Sequence, residues 1–436
     1  MAIDTPGRVA YVNARLLDPA TGLDAMGGLL TEGEHIVHLS PGLFRDGAPV
    51  GAEVVDCGGA CLAPGLVDMR TQLREPGQEH KESFKSAGRA AAAGGVTAMV
   101  CLPNTNPVID DEAAVEFVAR RARLIGLVKV FTYAAATKGL EGRELAEIGL
   151  LRQAGALAFT DGIKAVADAQ VMRRLLAYAG SHDLLVIQHP EEPSLGASGA
   201  MNAGEMATRL GLSGLPREAE IIMLERDMRL VAMTGARYHA AHVSTAEGVD
   251  ILRRAKADGL RVTSDTAPFY FALNELEVGD YRTFAKLSPP LRAESDRQAI
   301  IAGIVDGTID AIASDHCPQD ADTKRLPFNL AAFGGIGLET LLPVTLSLVH
   351  GEHLSLLEAL DRVTRAPADL LGLEAGRLRT GAPADLVIFD PDRPWKVVAD
   401  TMRSKAKNTP FDGHLVQGRV IRTVVDGRAV FPEGEG

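Results

Sequence analysis

The chain has 436 residues, 46% of them apolar and 23% charged, with a net charge of −12, which suits one large globular domain carrying a smaller module. The acidic balance and the lack of any Lys/Arg run exclude a nucleic-acid binder, and no apolar run is long enough to span a membrane. The opening residues lack the basic start and apolar stretch of a secretory signal. Cys57, Cys61, Cys101 and Cys317 are scattered without CxxC spacing, so reduced thiols in a cytoplasm are expected rather than a zinc knuckle or a disulfide framework.

In chain order, residues 1–63 alternate short apolar runs with turns (RVAYVNARLLDP, GGLLTEGEHIVHLS, GAEVVDCGG, ACLAPG) and read as short antiparallel strands. From 64 to 370 the pattern changes to short β-branched runs alternating with helical stretches. Eight such runs occur: 65–73, 95–102, 127–135, 156–161, 184–189, 237–243, 261–267 and 310–316. Helical segments between them include SFKSAGRAAAAGG, DEAAVEFVARRARLIG, AQVMRRLLAYAGSH and AEGVDILRRAKADG. The connection 190–236 is long, and its GLSGLPREAEIIMLERDMRL portion reads as a loop followed by a helix. Residues 371–436 return to strands and turns. The fold class is therefore α/β: a closed (β/α)8 TIM barrel, with a small β-sandwich module assembled from both termini. No GxGxxG follows a strand, which weighs against dinucleotide binding.

Such barrels carry their chemistry at the C-terminal ends of the strands. Asp161 ends the fourth run, His189 the fifth, His242 lies near the end of the sixth, and Asp315 and His316 end the eighth. Imidazole and carboxylate together suit zinc or a similar divalent ion. Each has a plainer reading: a histidine after an apolar run is commonly a hydrogen-bonded core residue, and Asp161 before Gly162 fits a helix N-cap equally well.

The motifs then become specific. APGLVDMRTQLREPGQEHKESF, AAAAGGVTAMVCLPNTNPVIDD, AFTDG at 158–162, AMNAGEMATRLGLSGLPREAE at 200–220, HVSTAE at 242–247, KLSPPLRAESDR at 286–297, IASDHCPQ at 312–319 and GAPADLVIFD at 381–390 together resemble the class I dihydroorotases of the amidohydrolase superfamily, across nearly the whole chain. The resemblance implies a hydrolase of pyrimidine biosynthesis that opens and closes a cyclic amide with divalent metal. By position it assigns Arg74 and Asn104 to the substrate carboxylate, a task that suits the planar fork of an arginine. It assigns Asp161, His189 and His242 to metal, and Asp315 to the general base that moves a proton from water to the leaving nitrogen.

The departures matter as much. Where the family's first strand reads V-D-x-H-x-H, this chain has Arg70 and Gln72. A guanidinium has no lone pair to offer a metal, but it can supply positive charge beside Asp161 or Asp315. Gln319, Ser288, Phe269 and Tyr270 also stand at positions where the family pattern has other residues. Nothing marks Cys317 as an activated nucleophile. The pattern resembles that of metal-ligand-deficient homologues that serve as non-catalytic partners of aspartate transcarbamoylase. The expectations are therefore a catalytically impaired homologue, with either no cofactor or one divalent metal, zinc first, at the surviving ligands. The alternative is an active dihydroorotase using that single metal. A homo-oligomer and a small carboxylate ligand complete the expected partners.

Overall fold

The computed structural model describes residues 7–45 and 47–432; residues 1–6 and 433–436, the outer ends of the two terminal segments, and residue 46 lie outside the described residues. Five strands come first: β1 (Arg8–Asp18), β2 (Leu23–Glu32), β3 (His35–Pro41), β4 (Glu53–Asp56) and β5 (Cys61–Pro64). The barrel follows with β6 (Leu66–Thr71), β7 (Val96–Cys101), β8 (Lys129–Thr132), β9 (Leu185–Gln188), a short side pair β10 (Met201–Asn202) and β11 (Gly214–Leu215), then β12 (Arg237–Ala240), β13 (Val262–Thr266) and β14 (Ala311–Ile312). The chain ends in β15 (Leu386–Lys396), β16 (Leu415–Val425) and β17 (Arg428–Phe431).

The barrel strands pair in parallel, β6 with β7 and β8, and β9 with β12, β13 and β14. Every residue of β6, β7 and β9 is buried, as staves covered on both faces must be. Two gaps remain between these sheets. One is bridged by the fourth run, where Phe159 pairs in parallel with Ala134 and Val186; the other is closed by a parallel bridge from Thr71 to His316. The fourth run is thus a stave without a regular strand. Alternating bonds hold it, Phe159 N–H to Leu185 and Thr160 N–H to Ala134.

The outer helices form where sequence and packing agree. In the helix Glu112–Ile125, Asp111 caps the N-terminus through the Ala114 N–H, and Val115, Val118 and Ala122 form one buried stripe. Gly126 ends it at φ 61, a left-handed conformation that glycine adopts without a side-chain clash. In the long connection, the helix Glu218–Thr234 follows two short helices, Pro193–Gly196 and Glu205–Leu210, and the β10–β11 pair, so the loop expected before it carries a two-residue strand. Among the described residues no helix is long and apolar enough to cross a membrane.

The terminal strands form one eight-stranded sheet in the order β17-β16-β15-β5-β1-β2-β3, with β4 also on β1. The expectation of antiparallel strands holds for β1, β2 and β3, but β4 and β5 both lie parallel to β1. A register shift between Tyr11 and Ala14 splits β1, with Asn13 at φ 53; Val9–Val12 take β4 and Arg15–Leu16 take β5. Tyr11, Leu16, Leu29 and Leu62 from the first segment share a core with Leu386, Ile388 and Val424 from the last. Lys129 of β8 fastens this sheet to the barrel through Asp385 and Asp426, each at 2.7 Å.

Candidate active site at the barrel mouth

Barrel closure brings the stave ends to one place. Arg70 lies in β6, Gln72 just beyond it, Asp161 after the fourth stave, His189 after β9, His242 after β12 and Asp315 after β14. All are buried, and Arg70 is only 2% exposed. His242 and Asp315 hold left-handed backbone at φ 39 and 48, as does Arg74 at φ 61. Such strain in non-glycine residues gathers where a side chain must be aimed.

Arg70 points inward. Its Nε–H donates to Asp315 Oδ1 at 2.9 Å, and its Nη2 donates to the Gly162 carbonyl at 3.2 Å and lies 3.3 Å from His242 Nε2. A guanidinium only donates, so His242 Nε2 is an acceptor and the proton of that ring sits on Nδ1. That proton goes to Asp315 Oδ2 at 3.1 Å. His189 Nδ1, 2.7 Å from the same Nε2, must then donate to it. Burial, together with neighbouring His242 and Arg70, holds His189 well below the ordinary imidazole range, which agrees with a neutral ring. For Asp315, burial alone would raise the carboxyl; His242 and then Arg70 outweigh it and hold it down at about 2.

Asp161 stands apart from this group. Its two oxygens accept from the backbone N–H and hydroxyl of Thr137, so neither Arg70 nor a histidine uses them. Burial raises its carboxyl against those bonds. Among the described residues no group of three or more His, Cys, Asp or Glu side chains is disposed to hold a metal ion. The residues present do not fit the metal that the family pattern implies. The imidazole nitrogens facing one another share a proton, Asp315 is bound by two donors, and a fixed cation sits between them.

The remaining family positions are also engaged. Asn104 Nδ2 donates to Gln72 Oε1 at 2.9 Å, an amide pair at the position of one expected histidine. Arg74 donates to the Pro318 carbonyl at 3.1 Å and lies 3.3 Å from Cys317 Sγ. Gln319 donates to the Phe333 carbonyl at 2.7 Å and accepts from Lys81 at 2.9 Å. Phe269 stacks on Phe411, and Tyr270 donates to the Pro289 carbonyl, so both serve packing.

A cavity of about 340 Å³ opens above the group, lined among others by Gln72, Arg74, Glu191, His242, Ser288, Asp315, Cys317 and Gln319. Asn104 is not part of its lining. A second chamber of about 420 Å³, lined by Arg143, Lys164 and His189, shares Ile163 and Glu191 with it. A groove of about 540 Å³ lies between barrel helices and β16 and contains none of these residues. Glu191 and Thr137 escaped the sequence reading as neighbours of the site, whereas Cys317, weighed there only as a nucleophile, lines the cavity. Only Glu191, two positions after His189, carried a signal that could have found it.

The molecule's relatives agree with this frame. Residues 59–248 match the family described as dihydro-orotase-like, and 336–431 match an amidohydrolase family. A dihydroorotase of Pelobacter propionicus is 47% identical over 96% of this chain and 98% of its own length. A dihydroorotase of Anaplasma phagocytophilum is 46% identical over 97% of this chain and 95% of its own. Among solved structures, an L-hydantoinase (dihydropyrimidinase) from Arthrobacter aurescens superposes with a TM-score of 0.85 at 24% identity, covering 97% of this chain and 95% of that one. A dihydropyrimidinase from Brevibacillus agri gives 0.84 at 23%, covering 97% and 94%. These structures establish a (β/α)8 barrel with a β-rich terminal domain as the fold. On the strength of the curated relatives, the chain belongs to the dihydroorotase family.

Proposed function

We propose that this chain is a catalytically impaired member of its family, a cytoplasmic protein of pyrimidine biosynthesis that acts as a non-catalytic partner of aspartate transcarbamoylase. The observation that carries the first part is Arg70 on Asp315 and His242. Amide hydrolysis in this family relies on a divalent metal to lower the pKa of water and polarise the carbonyl. A general base must also be free to take a proton and must not bind it too weakly. Asp315, bound by two donors and held at about 2, meets neither condition. An intact barrel framework surrounds the altered site, which fits a function residing in the surface.

The name of the relatives favours a second reading, a working dihydroorotase with one metal at Asp161, His189 and His242. One experiment separates the two. The purified chain is assayed for dihydroorotate hydrolysis with added zinc, manganese or cobalt while bound metal is quantified, and is mixed with aspartate transcarbamoylase from the same organism for sedimentation analysis. The expected result is no metal, no turnover and a larger mixed assembly. Turnover that tracks bound metal and disappears in His242→Ala would overturn the first reading.

A further inference from the structure

We infer that the barrel mouth is a built cradle for one cation, with Arg70 as its resident occupant, and that this side chain cross-links four staves. The side chain is rooted in the first stave and receives acceptors from three others: the Gly162 carbonyl beyond the fourth at 3.2 Å, His242 Nε2 beyond the sixth at 3.3 Å and Asp315 Oδ1 beyond the eighth at 2.9 Å. Their sequence separations from Arg70 are 92, 172 and 245 residues, so only closure of the barrel assembles the set.

The three acceptors cannot satisfy one another. A carbonyl and a carboxylate carry no proton here, and His242 has already given its Nδ1 proton to Asp315 Oδ2. Without the guanidinium, Asp315 Oδ1 and the Gly162 carbonyl would face each other unpaired in a buried space, and His242 Nε2 would keep only the N–H of His189 at 2.7 Å. Such a set accepts a cation in either of two ways: a planar guanidinium through its N–H fork, or a small metal ion through the lone pairs themselves. In this chain the covalent cation holds the place, so the mouth is tied together without any dissociable ion. This inference uses the geometry of Arg70 but not the identity of a protein partner.

The test is Arg70→Ala, which empties the cradle, beside Arg70→Lys, which keeps the charge without the fork. Thermal unfolding is followed with methylguanidinium, zinc or cobalt, with equal methylammonium as the control for ionic strength. The expected result is a lower Tm for Arg70→Ala, raised again by methylguanidinium or by a stoichiometric metal ion, with a smaller loss for Arg70→Lys. The wild-type Tm should respond neither to these cations nor to a chelator. An Arg70→Ala chain that melts with the wild type, or that no cation stabilises more than methylammonium does, would overturn the cradle. If Arg70→Ala does not fold alone, it is refolded from urea with and without methylguanidinium. Recovery only with the cation supports the inference, and equal failure overturns it. Dihydroorotate turnover by the wild type would defeat the proposed function and leave the cradle standing, so the two can fail separately.

Discussion

Replacing Asp315 by Asn probes the electrostatic centre of the mouth while changing almost no volume. The carboxylate accepts from Arg70 Nε at 2.9 Å on one oxygen and from His242 Nδ1 at 3.1 Å on the other. Its carboxyl is held at about 2 against an ordinary 3.8, a drop that corresponds to stabilisation on the order of 2 kcal/mol at neutral pH. The amide also leaves the buried guanidinium without its counter-charge, and breaking such a pair costs about 3 to 5 kcal/mol. The two figures count partly the same interaction, so the expected loss at pH 7 lies between about 2 and 5 kcal/mol. The assay is the thermal midpoint of wild type and Asp315→Asn by circular dichroism from pH 8 to pH 3. A carboxyl depressed in the folded state contributes fully above its unfolded value and loses that contribution as pH falls toward its folded value. The gap between the two proteins should therefore be level above about pH 5 and narrow below about pH 4. Coincident melting at pH 7, or a gap that widens toward acid, would refute the reasoning.

Glu339 has the opposite sign. Burial raises its carboxyl to about 7 although the backbone N–H groups of Arg403 and Ser404 bind it, so its ionisation destabilises the fold as pH rises from its unfolded value toward neutrality. Glu339→Gln is expected to stabilise the fold at pH 8 by about 3 kcal/mol, seen as a higher thermal midpoint, and to leave the midpoint unchanged near pH 4. Thiol chemistry tests the burial pattern. Burial pushes Cys57, Cys61 and Cys101 up to about 12, 11 and 12, whereas Cys317 is half-buried and lines the mouth cavity. A thiol reagent at pH 8 should modify only Cys317 in the folded chain, as mapped by mass spectrometry, and modification of Cys101 before unfolding would contradict the structure. Lys129→Met leaves Asp385 and Asp426 facing each other without their shared cation. A loss of about 1 to 3 kcal/mol is expected from the acceptors left without their donor, with faster hydrogen exchange in β15 and β16, and unchanged exchange there would count against the tether.

The sequence by itself determined what depends on local pattern. Eight apolar runs separated by helical stretches dictate a parallel barrel, because a strand buried on both faces must be continuously apolar and its crossover must be long enough to be a helix. The motifs placed Arg70 and Gln72 where histidines are expected, and stave-end logic placed His189, His242 and Asp315 near one another. Tertiary structure decided which groups actually meet. Arg70 and Asp315 are 245 residues apart, and no local pattern chooses Asp315 over Asp161 as its partner. That choice follows from Thr137, which already occupies both oxygens of Asp161, and from the reach of a guanidinium rooted in β6. Likewise, no periodicity reveals that Asn104 would be taken up by Gln72, or that a split in β1 would turn β4 and β5 parallel to it. Hydrophobic period reports burial, a property each residue has alone. Hydrogen-bond partnership belongs to pairs, and in a closed barrel those pairs exist only once the last stave has met the first.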